Sequence, residues 1–276
     1  MKKQISKIFS SDGELSKSIK GFKPRAEQLE MAQSVGYAIQ NKRPLVVEAG
    51  TGTGKTFAYL APALIAGKKT IISTGSKNLQ DQLFSRDLPA IKKALNYSGK
   101  IALLKGRSNY LCLERLDQVI AQGVLGDKSV LADLSKVRKW NNATKTGDLT
   151  ECIELAEDSP ILPQLTSTAE SCLGTDCPNY AECYVAQARK KALNADLVVV
   201  NHHLFFADMA VKESGFGELI PNAEVIIFDE AHQLPDIASQ YFGQSLTSHQ
   251  LFDLCKDINI VYRTELKDMP QLGTTA

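Results

Sequence analysis

The sequence predicts an α/β fold, in which a parallel β-sheet is covered by helices and interrupted by one long, mainly helical insertion. Three observations predict it. Short apolar runs rich in valine and isoleucine alternate with segments of helical periodicity. A glycine-rich turn joins one of these runs to a helix. The alternation stops after Tyr110 and resumes only near Cys183. Alternating strands and helices favour a parallel sheet that is buried on both faces.

The predicted elements follow one another at the spacing of β–α units. The pattern predicts, in order, a helix over 24–40, a strand over 44–48, a helix over 55–66, a strand over 69–73, a helix over 77–95, a strand over 101–104, a helix over 183–193, and strands over 197–200 and 225–228. Residues 112–183 carry five of the six cysteines and no strong strand signal. This segment is therefore predicted to be an insertion between strands of one sheet.

The composition is that of an ordinary globular protein. The chain has 276 residues, of which 43% are hydrophobic and 23% charged, and this balance argues against a disordered, collagen-like or membrane protein. Its length allows about two domains, or one domain with a large insertion. The net charge is only +1, so any binding of nucleic acid has to come from a local basic groove.

Targeting signals are not expected in this sequence. No apolar run approaches the length that crosses a bilayer, and the first residues resemble neither a signal nor a transit peptide. We therefore expect a cytoplasmic protein without a membrane partner. Because disulfides are rare in that compartment, the cysteine spacing indicates metal or redox chemistry.

The strongest functional signal is a glycine-rich loop between a predicted strand and a predicted helix. Its residues are Ala49, Gly50, Thr51, Gly52, Thr53, Gly54, Lys55 and Thr56. Glycines let backbone N–H groups point at a phosphate, and the helix N-terminus adds a favourable dipole. Lys55 is expected to reach the β- and γ-phosphates of ATP, and Thr56 to ligate Mg²⁺. The alternative is a glycine-rich turn that binds nothing, which the coincidence of strand, glycines, Lys-Thr and helix disfavours.

An acidic turn follows the last predicted strand. Residues 225–228 run directly into Asp229, Glu230, Ala231 and His232. Asp229 is expected to hold Mg²⁺ through its water shell, and Glu230 to orient and deprotonate the attacking water. His232 is expected beside the γ-phosphate. A plain acidic turn at a strand end is the alternative, and the glycine-rich loop makes it improbable.

The cysteines leave more than one interpretation open. The four that follow a wide spacing are Cys112, Cys172, Cys177 and Cys183. Zinc sites more often show a Cys-x-x-Cys knuckle, whereas an iron–sulphur cluster also takes four thiolates and is bulkier. Spacing alone favours a cluster only slightly over zinc, and unligated core cysteines are a third possibility. Cys152 and Cys255 are interpreted as plain buried cysteines, with Cys152 as a reserve ligand.

These motifs together resemble the superfamily 2 iron–sulphur DNA helicases of the XPD/DinG type, and among them the YoaA-type members, over residues 12–268. The strings that carry the resemblance are 22–25 with Gln28, 48–56, 73–74 with 79–83, 105–112, and 201–204. Arg25 and Gln28 resemble the element that reads adenine. Residues 73–74 and 79–83 resemble a motif that touches the DNA backbone. In this family Ala49 is part of the usual loop.

The resemblance implies a RecA-like ATPase lobe with ATP and Mg²⁺ as cofactors. It further implies a [4Fe–4S] cluster held by Cys112, Cys172, Cys177 and Cys183. The implied activity is ATP-driven 5′→3′ movement on single-stranded or forked DNA, in replication or DNA-damage repair. A replication protein such as the chi subunit of the polymerase holoenzyme is an implied partner.

Basic and aromatic residues near the cysteines are candidates for contact with nucleic acid. The basic ones are Lys105, Arg107, Arg189, Lys190 and Lys191, and the aromatic ones are Tyr110, Tyr180 and Tyr184. Solvated lysines and packed tyrosines explain each residue, taken singly, at least as well. His202 and His203 are expected to satisfy hydrogen bonds in the core rather than to bind metal.

The motifs divide the chain into four segments. Residues 1–111 and 184–234 form the two parts of the ATPase lobe, 112–183 the insertion, and 235–276 the start of a helical arch domain. The sequence after His232 is too short for a second α/β lobe of about 150 residues. In the family that lobe supplies arginines, and an arginine finger is worth about 10³–10⁵ in turnover. We therefore expect the N-terminal portion of a helicase, which hydrolyses ATP only weakly or not at all on its own. The alternative is a nucleotide- and DNA-binding iron–sulphur module with negligible turnover.

Overall fold

A computed structural model gives the fold of most of the chain. It describes residues 1–50, 52–122, 128–169, 171–213 and 219–243, together with the single positions 248, 252, 255 and 258. Thr51 of the glycine-rich loop lies outside the described residues.

A parallel β-sheet forms the centre of the structure. In the described residues its strands are β1 (Thr70–Thr74), β2 (Ile101–Leu103), β3 (Leu197–Asn201) and β4 (Val225–Phe228). They lie in the order β2-β3-β1-β4 and all neighbours are parallel. β1 and β3 are buried at every residue, as expected for continuous apolar β-branched runs in a sheet with both faces covered. The predicted parallel α/β fold is thus confirmed.

Helices account for most of the remaining regular structure. They are α1 (Lys2–Ile8), α2 (Glu14–Ser18), α3 (Ala26–Asn41), α4 (Lys55–Ala66), α5 (Lys77–Gln82), α6 (Leu88–Ala94), α7 (Leu113–Gln122), α8 (Lys128–Asn141), α9 (Leu162–Leu165), α10 (Tyr184–Leu193), α11 (His202–Glu213) and α12 (Leu234–Phe242). The predicted helix over 77–95 is divided by a π-helical turn at Leu83–Asp87. Pro89 explains the division, because it cannot donate a backbone hydrogen bond and its ring crowds the preceding turn.

The sheet packs against helices from the first 94 residues of the chain. Ile5 of α1, Leu60 of α4 and Ile91 of α6 are fully buried in one hydrophobic cluster with Ile72 of β1 and Val199 of β3. Burial of each such side chain stabilises the fold by about 1.5–3 kcal/mol. This cluster fixes the start of α4, and therefore the glycine-rich loop before it, relative to the sheet.

Residues 112–183 have a hydrophobic core of their own. Val137 of α8, Leu165 of α9 and Ile161, which immediately precedes α9, are fully buried in a second cluster, against which Trp140 packs. In the part of this segment that the structure describes, no β-strand occurs, and one isolated antiparallel bridge joins Asp148 to Tyr110. The segment is therefore built from helices and turns around a separate core.

One predicted strand is wrong. Residues 44–48, which lead into the glycine-rich loop, have no regular secondary structure, and Val46 is 95% exposed. Valine and leucine favour a strand only when a neighbouring strand and a core are present to pair and pack with them. This segment lies outside the sheet, and β4 is an edge strand in the described residues.

The chain divides between Leu234 and Pro235 into two compact units. In the second unit the described residues are 235–243 and four single positions, and most of them belong to α12. Among all described residues, no helix has the length and apolarity that a membrane crossing requires.

Candidate functional site

The glycine-rich loop has the backbone conformation that its glycines were expected to permit. Gly52 and Gly54 have φ angles of +79° and +80°, in the left-handed region where other residues are strained. A side chain at Gly54 would also collide with the amide of Gln28. Gly54 is the N-cap of α4, and Lys55 is the first residue of that helix. The loop therefore leads into a helix N-terminus, as an anion site requires.

Two side chains that precede the loop in the sequence donate hydrogen bonds to its carbonyl groups. Gln28, which is buried, donates a hydrogen bond from Nε2 to the carbonyl oxygen of Gly54 at 2.9 Å. Arg25 donates from its guanidinium to the carbonyl oxygen of Gly52. Within the loop, the Thr53 hydroxyl donates to the carbonyl oxygen of Gly50 at 2.9 Å. Arg25 and Gln28 thus lie against the loop and restrain two of its peptide planes.

The acidic turn at the end of β4 lies beside the start of α4. Lys55 Nζ is 3.8 Å from Glu230 Oε1, and the two side chains are 32% and 31% exposed. His232 Nδ1 lies 3.4 Å from the other carboxylate oxygen of Glu230, and its ring is exposed to solvent. Glu230 therefore lies between two basic groups at long distances, with room for water or a ligand to reach it.

Asp229 is held more tightly than Glu230. The buried hydroxyl of Tyr59, one turn into α4 from Lys55, donates to Asp229 Oδ2 at 3.0 Å. Burial, followed by the nearby charge of Asp229, raises the pKa of Tyr59 well above its usual range. Tyr59 therefore stays protonated and remains a hydrogen-bond donor to this carboxylate.

The backbone of the acidic turn is unusual at Glu230. Its φ angle is +58°, and the left-handed conformation costs a non-glycine residue about 1–2 kcal/mol. The backbone N–H of Asp229 donates to the carbonyl oxygen of Ser73 in β1 at 2.9 Å. The turn is therefore anchored to the sheet immediately before its strained residue.

His202, at the start of α11, makes the hydrogen bonds in the core that the sequence predicted for it. Its ring is fully buried, with Nε2 2.9 Å from the carbonyl oxygen of Asp229 and Nδ1 2.7 Å from the Ser73 hydroxyl. Burial lowers the pKa of His202, which favours the neutral ring. A carbonyl oxygen only accepts, so Nε2 carries the proton and Nδ1 accepts from Ser73.

Among the four predicted ligand cysteines, Cys112 lies close enough to Cys177 and Cys183 for their charges to act on it, and Cys172 and Cys183 both act on Arg189. Cys112, Cys177 and Cys183 are partly buried, Cys172 is exposed, and none forms a disulfide. Burial raises the pKa of the Cys112 thiol, and the charges of Cys177 and Cys183 raise it further. Burial and, to a smaller extent, the charge of Arg107 lower the pKa of Arg189. The charges of Cys172 and Cys183 act in the opposite direction. In the part of the chain that the structure describes, no three histidine, cysteine or acidic side chains converge on a single metal position.

Two residues that the sequence offered for contact with nucleic acid are not available for it. Lys105 Nζ is buried and lies 2.7 Å from both Asp81 and Asp148, with the Thr150 hydroxyl at 3.2 Å. Tyr110 is also buried, and its hydroxyl accepts the backbone N–H of Lys105 at 3.1 Å. For both residues the alternative that the sequence left open, a structural role, is confirmed, because acidic partners distant in sequence enclose the lysine and the tyrosine is buried.

The other candidates are more accessible. Lys190 and Lys191 are exposed, as is Tyr180, whereas Tyr184 is half-buried and donates its hydroxyl to Asn141 at 2.9 Å. A cleft of about 1960 Å³ lies between the edge of β2, α10 and the insertion. Its basic lining residues are Lys77, Lys100, Lys145, Lys190 and Lys191. The cleft is separate from the glycine-rich loop and the acidic turn, none of whose residues line it.

Comparison with known families places the loop in a helicase domain. The sequence profile of the DEAD/DEAH box helicases matches residues 29–152. This range includes the glycine-rich loop and ends inside the insertion, before the acidic turn is reached.

Individual relatives match nearly the whole chain. It is 90% identical over 273 residues to the ATP-dependent DNA helicase YoaA of Haemophilus influenzae, a match that covers 99% of this chain and 43% of that protein. It is 66% identical over 268 residues to YoaA of Escherichia coli, covering 97% and 42%. It is 36% identical over 249 residues to the ATP-dependent helicase DinG of Mycobacterium tuberculosis, covering 82% and 37%.

The chain spans about two-fifths of the length of these curated relatives. The YoaA matches run over 97% or more of this chain, so they include both the glycine-rich loop and the acidic turn. The chain therefore belongs to the DinG/YoaA-type helicase family and corresponds to the N-terminal portion of its members.

Proposed function

We propose that this chain is the ATP-binding portion of an ATP-dependent DNA helicase that moves 5′→3′ along single-stranded DNA in replication or DNA-damage repair. One observation carries the ATPase part of the proposal. Lys55 of the glycine-rich loop and Glu230 of the acidic turn, which are distant in sequence, have their charged atoms 3.8 Å apart. The names of the relatives support DNA helicase activity. The direction and the biological process rest on the resemblance in motifs.

The residues of the site would divide the chemistry of phosphoryl transfer among them. Lys55 would neutralise the β- and γ-phosphates, while the Thr56 hydroxyl and the Asp229 carboxylate supply oxygen ligands of the kind that Mg²⁺ takes. When bound, Mg²⁺ would offset the charge that develops on the phosphates. Glu230 is half-exposed and would orient the attacking water and accept its proton.

The remaining loop residues and His232 would complete the nucleotide site. Arg25 and Gln28 occupy carbonyl groups of the loop, which leaves the N–H groups of Gly50, Gly52, Thr53 and Gly54 to contact phosphate oxygens. Arg25 and Gln28 would themselves lie beside the adenine, as the resemblance implies. His232 is 3.4 Å from Glu230 and would lie near the γ-phosphate.

The insertion is proposed to hold a [4Fe–4S] cluster. Four thiols that form no disulfide are the kind of donor that such a cluster takes, and three of them are close enough for their charges to interact. The ligands would be Cys112, Cys172, Cys177 and Cys183. When bound, the cluster would brace the insertion by tying residues from both of its ends. Cys152 is buried in the core of the insertion and remains the reserve ligand.

The cluster is tested by anaerobic purification and metal analysis. We expect a brown protein with four irons and a broad absorbance at about 400 nm, as thiolate-ligated iron predicts. Cys177→Ser should lose iron, destabilise the insertion and weaken DNA binding while leaving ATP binding largely intact. Cys255→Ser, which makes the same change at a cysteine outside the insertion, is the matched control and should keep its iron. A colourless protein with stoichiometric zinc would reject the cluster.

The domain organisation is proposed to follow the motifs. Residues 1–111 and 184–234 would form the ATPase lobe, 112–183 the cluster domain, and 235–276 the start of a helical arch domain. The separate hydrophobic core of the insertion supports the boundaries of the cluster domain near 112 and 183. The division between Leu234 and Pro235 supports the boundary at which the arch domain would begin.

DNA is the proposed partner of the chain. Lys190 and Lys191 line a cleft together with three other lysines and four acidic residues. Lys190 and Lys191 are exposed on α10, where they could contact the phosphates of a single strand. A replication protein such as the polymerase chi subunit is a further partner that the resemblance alone supports.

The ATPase proposal is tested with the protein at the full length of its relatives. We expect ATP hydrolysis that single-stranded DNA stimulates and that Lys55→Ala abolishes, whereas Lys3→Ala, which removes one exposed charge from α1, changes nothing. The 276-residue chain should bind ATP and hydrolyse it slowly. Hydrolysis that survives Lys55→Ala, or that DNA does not stimulate, would contradict the proposal.

A further inference from the structure

Asp229 is held at three atoms by groups that lie outside the acidic turn. Its N–H donates to the Ser73 carbonyl oxygen at 2.9 Å, and its own carbonyl oxygen lies 2.9 Å from His202 Nε2. Its carboxylate accepts from Tyr59 at 3.0 Å. Of these contacts, the one from His202 acts on the peptide group that joins Asp229 to Glu230.

That peptide group controls where the Glu230 side chain points. The carbonyl oxygen of Asp229 and the N–H of Glu230 belong to one rigid plane. Once this plane is fixed, the φ angle of +58° sets the direction in which Glu230 leaves the backbone. A hydrogen bond to the carbonyl oxygen therefore restrains the conformation in which Glu230 lies 3.8 Å from Lys55.

The contacts of both nitrogens of the His202 ring indicate the same tautomer. Nδ1 of His202 is 2.7 Å from the Ser73 hydroxyl at the carboxyl end of β1. The Asp229 carbonyl oxygen can only accept, so the proton of the neutral ring resides on Nε2, and Nδ1 accepts from the Ser73 hydroxyl. The ring is fully buried, and its centre lies 5.9 Å from that of the Phe228 ring at an interplanar angle of 51°, so packing restricts its movement.

We propose that His202 is a positioning residue for ATP hydrolysis, which holds the Asp229–Glu230 peptide so that Glu230 faces the attacking water and Asp229 faces Mg²⁺. The inference deepens the proposed function and rests on it. His202 touches neither nucleotide nor metal, so it is expected to affect the rate of the chemical step and not the affinity for ATP.

Two substitutions of His202 by an amide side chain distinguish the contribution of Nε2 from that of Nδ1. His202→Gln can place an N–H near the position of Nε2, whereas His202→Asn reaches only the position of Nδ1. In the protein at full length, we expect His202→Asn to lower kcat by about 10- to 100-fold, the loss typical of groups that orient metal ligands. Its KM for ATP should be unchanged, and its requirement for Mg²⁺ should rise. His202→Gln should recover most of kcat.

Two further variants serve as controls. His203→Asn makes the same change one residue along α11, where the side chain is exposed, and should leave kcat unchanged. Ser73→Ala removes the donor to Nδ1 without altering the histidine, and should lower kcat in the same direction as His202→Asn but less. Thermal unfolding of each variant, followed by circular dichroism, reports folding separately from rate.

The outcomes distinguish the inference from the function on which it rests. Equal losses of kcat in His202→Asn and His202→Gln, or a rise in KM that parallels a loss of thermal stability, would overturn the positioning role and leave only packing. A wild-type protein without Lys55-dependent hydrolysis would overturn the proposed function, and the positioning role with it.

Discussion

Two lysines of this chain lie next to carboxylates in opposite ways. Lys55 in the nucleotide site has one carboxylate at 3.8 Å and is 32% exposed. Lys105 at the junction with the insertion has two carboxylates at 2.7 Å, a hydroxyl at 3.2 Å and only 1% exposure. The ammonium group of Lys55 has one distant partner and is accessible to solvent, whereas that of Lys105 has three close partners and is buried.

The difference separates a binding group from a structural one. Burial acts to lower the pKa of Lys105, but hydrogen bonds to Asp148 and Asp81 raise it on balance. Lys105 is therefore charged and already neutralised, with no capacity left for a phosphate. Lys55 keeps that capacity, because its distant partner can be displaced when a more highly charged ligand arrives. The next three predictions test this contrast, from the largest expected effect to the smallest.

The largest effect is expected at the junction. Lys105→Met removes the cation and leaves the Asp148 carboxylate buried without a cationic partner, which should cost about 3–5 kcal/mol of folding free energy. Trp140 is the only tryptophan and packs on the core of the insertion. Urea unfolding followed by its fluorescence therefore reports this loss directly.

The matched control is Lys136→Met, which also breaks a Lys–Asp pair, at 2.8 Å to Asp133 in α8. Lys136 is exposed, so we expect no measurable change in its unfolding curve. Equal effects of the two substitutions would show that burial does not distinguish the two lysines.

An intermediate effect is expected at the nucleotide site, and on binding alone. Lys55→Ala removes a charge-assisted hydrogen bond worth about 1.5–3 kcal/mol, so the affinity of the chain for ATP should fall by about 10- to 100-fold. The urea midpoint should stay at the wild-type value. Titration of a fluorescent ATP analogue measures the affinity, and a shifted midpoint would show that Lys55 is structural after all.

The smallest effect concerns the pH dependence of the junction. Burial raises the pKa of Tyr110 to about 12, from 10.0 in the unfolded chain. The folded protein thus keeps a proton that the unfolded chain loses, so this contribution to stability is full below pH 10 and is lost between pH 10 and about 12. Tyr110→Phe should show a shallower decline of the urea midpoint over that range. A decline parallel to wild type would exclude Tyr110 as its source.

The sequence was sufficient wherever the determining signal is local. The predicted helix over 55–66 has the observed bounds of α4, because Gly54 and Gly67 end it on both sides with left-handed conformations. β4 runs into Asp229 as expected, because an uninterrupted apolar run precedes two acids. The nucleotide site was assembled from these two local signals.

Prediction failed where a residue's role depends on partners distant in sequence. Lys105 looked like a phosphate contact, since nothing near it indicates that Asp81 and Asp148 enclose it. Residues 44–48 have the composition of a strand but lie outside the sheet. The sequence also missed α1 and α2, which are short helices whose buried side chains, Ile5, Ile8 and Leu15, are too few to produce a clear helical period.

Tyr59 was missed as a functional residue for the same reason. It lies among apolar neighbours in α4, and its spacing is that of a core residue. A tyrosine one turn after Lys55 is the only hint that the sequence offers, because the helix brings side chains four residues apart to one face. The contact to Asp229 is visible only once β4 is in place.

The strand order has a consequence for how the protein is made. β1 pairs only with β3 and β4, and β2 pairs only with β3, among the described residues. During synthesis, therefore, neither β1 nor β2 can form a ladder until residues 197–201 have left the ribosome. The helices of the insertion, whose contacts are local, can fold before that point. A chain stalled within the insertion would consequently expose two unpaired apolar strands, and that interval is when the nascent protein most needs a chaperone.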